Sequence, residues 1–124
     1  MTGPVDGRRS IERWDTMLRA LAAEPRRRLV IALADARADE TLALPEAAHS
    51  SPPQRDRDLL HRQLVHLHLP TLAEAGLIEW DREPLRARRG PRFAEVAALV
   101  DLLHEHAEEL PSSLRRHCDL LTEP

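Results

Sequence analysis

The sequence predicts a mainly α-helical domain with one small β-hairpin and a long C-terminal helix. Three observations carry that expectation. Apolar residues recur mostly at helical spacing. Trp14, Trp80 and Phe93 are the only aromatic residues, so Leu, Val, Ile and Ala must build the core, a set that suits helices better than a β-sandwich. One stretch, HLHLPTLAEAGLIEW at 66–80, begins like a helix, stops at Ala75 and Gly76, and then alternates like a strand. The 124 residues suffice for one domain with one core.

Taken in order, residues 1–9 are expected to form a flexible arm. Ser10 is placed to cap a first helix with apolar residues at Ile11, Trp14, Met17, Leu18 and Leu21. EPRRRLVIALADA opens a second helix with Pro25 at its first position, where a missing N–H costs nothing. Leu29, Val30 and Leu33 mark its buried side, with Ile31 at the edge. Residues 41–44 suggest a short bridge of strand, and 45–49 a turn or two of helix. SPPQ at 51–54 offers an N-cap, two first-turn prolines and the reciprocal Gln of a capping box. A longer helix is therefore expected over 52–75. Pro70 removes one of its internal hydrogen bonds and should bend or split it. Gly76 supplies the left-handed stop.

After Gly76, LIEWD sends Ile78 and Trp80 to one side, and Glu79 and Asp81 to the other. REP makes a turn. LRAR alternates again, with Leu85 and Ala87 inward and Arg86 and Arg88 outward, which completes a hairpin. GPR leads to a helix whose Phe93, Val96, Val100, Leu103, Ala107 and Leu110 lie near a three-four repeat, the seam of a helix that pairs with another. Pro111 ends it, and Ser112 or Ser113 can start a last short helix through Leu121. This order is that of a winged helix-turn-helix, in which Gly76 turns a recognition helix into the first strand of a wing. The expected divisions are an arm at 1–9, the winged domain at 10–92 and dimerisation helices at 93–124.

EPRRRLVIAL followed by LVHLHLPTLAEAGLIEWD resembles the ArsR-type winged-helix regulators, and most of all the small haloarchaeal ArsR-like domains of unknown function. Thr71 stands where that pattern has Lys. The resemblance implies a DNA-binding transcription regulator. It also implies a homodimer formed through helices 11–22 and 92–109, with double-stranded DNA as the partner.

On a wheel at about 100° per residue, Leu60, Leu64, Val65, Leu67, Leu69 and Leu72 fill one arc of the 52–75 helix. Arg62, Gln63, His66 and Pro70 fall opposite. Arg suits guanine O6 and N7, Gln suits adenine, and His can donate to a base or a phosphate. Arg62, Gln63 and His66 are thus the candidate major-groove residues, the alternative being an ordinary solvated face. REPLRARRGPR at 82–92 is the densest positive stretch. Within it Arg82, Arg86, Arg88 and Arg89 are candidate phosphate contacts of the wing, with Arg92 beside them. Arg26, Arg27 and Arg28 open a helix where the macrodipole disfavours cations. They suggest either a bound phosphate or a solvated helix start with local acid partners.

Other chemistries find less support. His61 and His68 fall on the apolar arc, but they lie about 10 Å apart along a straight helix, too far for one ion at bonds of about 2 Å. They are expected to be buried or half-buried and hydrogen-bonded. Asp101 with His104, or His106 with Glu109, could each offer two ligands, against a plain acidic face. No metal or other cofactor is expected. Cys118 is the sole cysteine and is expected to be an ordinary thiol. Four glycines leave no phosphate loop, and no nucleophile–base grouping emerges, so no enzyme is expected. The opening MTGPVDGRRS lacks the apolar stretch of a secretory leader, and the expectation is a cytoplasmic protein. Residues 55–92 carry eight Arg against six acids. That near balance keeps a second reading open, a winged-helix module that binds a protein rather than DNA. A metal- or ligand-responsive repressor is a third.

Overall fold

The computed structural model describes residues 4–48 and 57–115. The capping box expected at 51–54, His49, the last helix beyond Arg115 and Cys118 lie outside them. The described chain is mainly helical, with one three-stranded antiparallel sheet in the order β1-β3-β2. Helix α1 spans Pro4–Ala20 and α2 spans Glu24–Asp35. Strand β1 is Leu42–Ala43, followed by a 3-10 turn at Glu46–Ala48. A helical rod then runs through α3 (Arg57–Gln63), a π turn (Leu64–His68) and α4 (Leu69–Glu74). Strands β2 (Ile78–Asp81) and β3 (Arg86–Arg89) form the hairpin. Helix α5 (Phe93–Glu105), a 3-10 turn (Ala107–Glu109) and α6 (Ser112–Arg115) complete it. No helix among the described residues is long and apolar enough to cross a membrane.

Several expectations shift. Helix α1 begins at Pro4, so residues 4–9 belong to a helix rather than an arm, and Ser10 lies inside it. Its Met17 and Ala20 side is buried, as is Leu21 just beyond its end, while Ile11, Trp14 and Leu18 face solvent. The α-helix after the hairpin ends at Glu105, short of Pro111, and gives way to the 3-10 turn. Its Phe93, Val96 and Val100 enter the same buried cluster as Leu29, Val30 and Leu33 of α2. Helix α5 is therefore part of the core as well as a helix with an outer face.

Just before Pro70 the expected helix is divided in two, α3 and α4, but the π turn between them keeps the rod continuous. A proline ring in a regular α-helix clashes with the carbonyl four residues back, and the wider π turn immediately before Pro70 relieves that crowding. The Leu69 N–H bonds to the Leu64 carbonyl, five residues back, and the Thr71 hydroxyl donates to the Leu67 carbonyl at 2.7 Å. Residues in a π turn rotate less per step than the ~100° of an α-helix. The turn therefore brings His68, Leu69 and Leu72 back in line with Leu60 and Leu64, all of them buried. Leu67, expected inside, is thrown off that face and is 53% exposed. His61 is exposed too, against expectation, because α3 buries only Leu60.

Two glycines fix the passage from rod to sheet. Gly76 adopts φ 78°, a left-handed conformation that costs other residues about 1–2 kcal/mol. Its N–H bonds to the Ala73 carbonyl at 3.0 Å, and the Leu77 N–H bonds to the Leu72 carbonyl at 3.1 Å. That is the Schellman pattern, with Leu72 and Leu77 both fully buried. Gly90 leaves the hairpin where its backbone touches this junction. The Gly90 N–H bonds to the Leu77 carbonyl and the Arg92 N–H to the Gly76 carbonyl, each at 2.8 Å.

Candidate nucleic-acid interface

The rod presents Arg62 and His66 to solvent, with Gln63 half-buried beside them. Arg62 and His66 are four residues apart, as are Gln63 and Leu67, so two adjacent columns of side chains face outward. Arginine and imidazole occupy one column, amide and leucine the other. Gly76 then turns the chain into β2, and the hairpin stands at the rod's end. Of the three residues expected to point away from the core, Arg62 and His66 are exposed and Gln63 is half-buried. The hairpin register is Ile78↔Arg89, Glu79↔Arg88, Trp80↔Ala87 and Asp81↔Arg86.

The four hairpin arginines divide by role. Arg82 is exposed in the turn. Arg86 donates from Nε to Asp81 at 2.8 Å, and Arg88 donates from Nη1 to the same carboxylate oxygen at 3.0 Å. Arg88 also pairs with Glu79 at 3.3 Å. Much of the positive charge on this face is thus balanced on the spot. Arg89 is turned inward. Its Nε and Nη2 donate to the Leu33 carbonyl, and Nη2 also reaches Ala34 and Ala36. Its guanidinium lies 5.0 Å from the centre of the Phe93 ring. Arg89, expected to meet phosphate, caps the C-terminus of α2 instead, where helix carbonyls are left unpaired.

Hydrogen bonds from Arg86 and then Arg88 hold the Asp81 carboxyl below its usual range. The same carboxylate holds Arg88 above its own. A depressed carboxyl contributes stability that is fully present above its unfolded value, about 3.9, and is lost as pH falls through the lower folded value. Hairpin stability is therefore expected to stay level from neutral pH to about pH 4 and to fall below it. Amide exchange along β2 and β3, followed from neutral to acid, checks this. Protection that declines well above that point counts against the Asp81 pairing.

The arginines at the start of α2 also serve the fold. Arg26 is 7% exposed. Its Nε donates to the Ala20 carbonyl and its Nη2 to the Arg19 carbonyl, each at 3.1 Å, and its Nη1 lies 2.9 Å from His68 Nδ1. Arginine has no acceptor, so His68 Nδ1 must accept this bond. Arg27 donates to the Leu21 carbonyl at 2.8 Å. Burial, together with the neighbouring Arg27, pulls the Arg26 guanidinium below its ordinary value. The cluster lies at the N-terminus of α2 because the carbonyls at the C-terminal end of α1 are adjacent. This outweighs the unfavourable macrodipole.

The histidine and acid pairs of the C-terminal segment do not assemble further. His106 Nδ1 meets Glu109 at 2.6 Å, and among the described residues no three His, Cys, Asp or Glu gather to hold a metal. Sequence reasoning missed Asp81 and Glu79 as partners, Gly90 as a contact and Leu67 as exposed. The acid–arginine pairs had a signal, since all four residues alternate to the outer side of the hairpin. The carbonyl caps had none.

No curated protein and no solved structure matches the chain. A family model described as a domain of unknown function (DUF7344) matches residues 18–87, from the last turn of α1 into β3. The chain belongs to this DUF7344 family.

Proposed function

We propose that this chain is a dimeric, DNA-binding transcription regulator of the winged helix-turn-helix type, akin to the ArsR-like regulators. The observation that carries this reading is the exposed pair Arg62 and His66, with Gln63 half-buried beside them, on a rod that Gly76 stops directly ahead of a hairpin. The rod enters the major groove, and Arg62 and Gln63 read base edges. Arg82 is the wing's phosphate contact. Arg86 and Arg88 contribute less, being paired with Asp81 and Glu79. The dimer forms through the outer faces of α1 and α5. Ile11, Trp14 and Leu18 are 64%, 55% and 58% exposed on one stripe of α1, and Leu102 of α5 is 59% exposed. Arg13 of α1 and Glu95 of α5 form an ion pair that ties the two helices together.

Fluorescence anisotropy on duplexes selected from a random pool tests the proposal. Arg62→Ala is expected to weaken the selected duplex by about tenfold or more and to relax its selectivity. Arg82→Ala is expected to weaken all duplexes alike and to flatten the salt dependence by about 0.9 in log–log slope. Absence of binding to any duplex at low salt would reject the proposal. The balanced charge of the wing favours a second reading, a winged-helix module that docks on a protein. That reading predicts no duplex binding and Arg62→Ala without effect on DNA.

A further inference from the structure

The rod carries an exposed leucine among its polar groups. Leu67 is 53% exposed, although Val65, His68 and Leu69 around it are buried. The π turn is the cause, because it rotates Leu67 away from the core-facing row. A single exposed leucine on a protein surface is ordinary. This one stands four residues beyond Gln63, in the column next to Arg62 and His66, and so at the C-terminal end of the outward polar group. The major groove shows one apolar group, the 5-methyl of thymine, beside the donors and acceptors of the bases.

We infer that Leu67 is a specificity residue that packs on a thymine methyl. The inference rests on the DNA-binding reading above and adds a base preference to it. The Gln63–Leu67 column addresses A·T pairs, the amide on adenine and the isobutyl group on thymine. The Arg62–His66 column addresses guanine and its flanking phosphate. The π turn thereby gives the rod an apolar reader that a regular α-helix of the same sequence would have buried.

The test uses the full chain and the selected duplex. Each thymine in turn is replaced by deoxyuridine, which lacks only the methyl group. At one thymine per half-site the replacement is expected to lower affinity about fourfold, the worth of one buried methyl. Leu67→Ala is expected to lose the same factor on the parent duplex and to bind both duplexes equally. Its thermal melting should match the parent's, since the side chain is exposed. If no thymine is sensitive, or if Leu67→Ala keeps the sensitivity, the thymine assignment is overturned while DNA binding stands. If the pool yields no enriched duplex, the DNA-binding reading fails and the assignment fails with it.

Discussion

Gly90→Ala is expected to lower the stability of the fold by about 3 kcal/mol, the upper end of overpacking penalties. A Cβ at this position would lie 2.7 Å from the Gly76 carbonyl oxygen, 2.8 Å from the Ile78 nitrogen and 2.9 Å from the Leu77 carbonyl carbon. All three are backbone atoms, so no side chain can rotate away. Relief requires β3 to separate from the junction and lose the bonds of the Gly90 and Arg92 N–H groups to Leu77 and Gly76. Gly7 is the matched control. A Cβ there meets nothing within 4 Å, and Gly7→Ala, inside α1, should gain about 0.5–1 kcal/mol. Urea unfolding of the two variants beside the parent measures both. A Gly90→Ala midpoint equal to the parent's would show that the close approach is dispensable.

Arg26→Met is expected to have a comparable effect, also about 3 kcal/mol, because it removes one donor group from two buried acceptors, the Ala20 carbonyl and His68 Nδ1, and from the part-buried Arg19 carbonyl. Methionine fills similar length without a hydrogen-bond donor. The carbonyls of Arg19 and Ala20 and the Nδ1 of His68 would each lose the partner that joins α1, α2 and the π turn. Arg26→Lys should recover only part of the loss, since a compact ammonium cannot span acceptors on two separate elements as a planar fork does. Hydrogen exchange supplies the more telling readout. Protection should fall first in the last turn of α1 and around His68. A uniform fall across all helices would mean that Arg26 contributes burial alone.

The features readable in advance were those governed by local rules. Gly76 was legible because a Schellman stop needs a positive φ and Gly meets that need most cheaply. The hairpin was legible because period-two alternation placed Ile78 and Ala87 inside. Leu29, Val30 and Leu33 followed from helical spacing. Leu67 was not legible, because a fixed angular step cannot represent a π turn. An error of phase within five residues moved it from core to solvent. The arginines were the least legible. One residue type caps α1 at Arg26, caps α2 at Arg89, balances Asp81 at Arg86 and Arg88, and faces water at Arg62 and Arg82. Only tertiary placement separates these roles, because each depends on which carbonyl or carboxylate lies within reach. For the same reason the charge count of residues 82–92 overstated the unpaired positive charge that the hairpin carries.

The clamps that Arg26 and Arg89 place on helix ends grip peptide dipoles, not opposite charges. Dissolved ions have no counter-charge to displace there and little water to act through. The carboxylate pairs on the outer hairpin face lie open to the same ions, and their attraction fades as the Debye length shortens. In strong brine the outer pairs, and with them the Arg13–Glu95 tie between α1 and α5, would loosen while the Arg26 and Arg89 clamps hold, so those two helix ends are insulated from ionic strength and the hairpin's outer face is not.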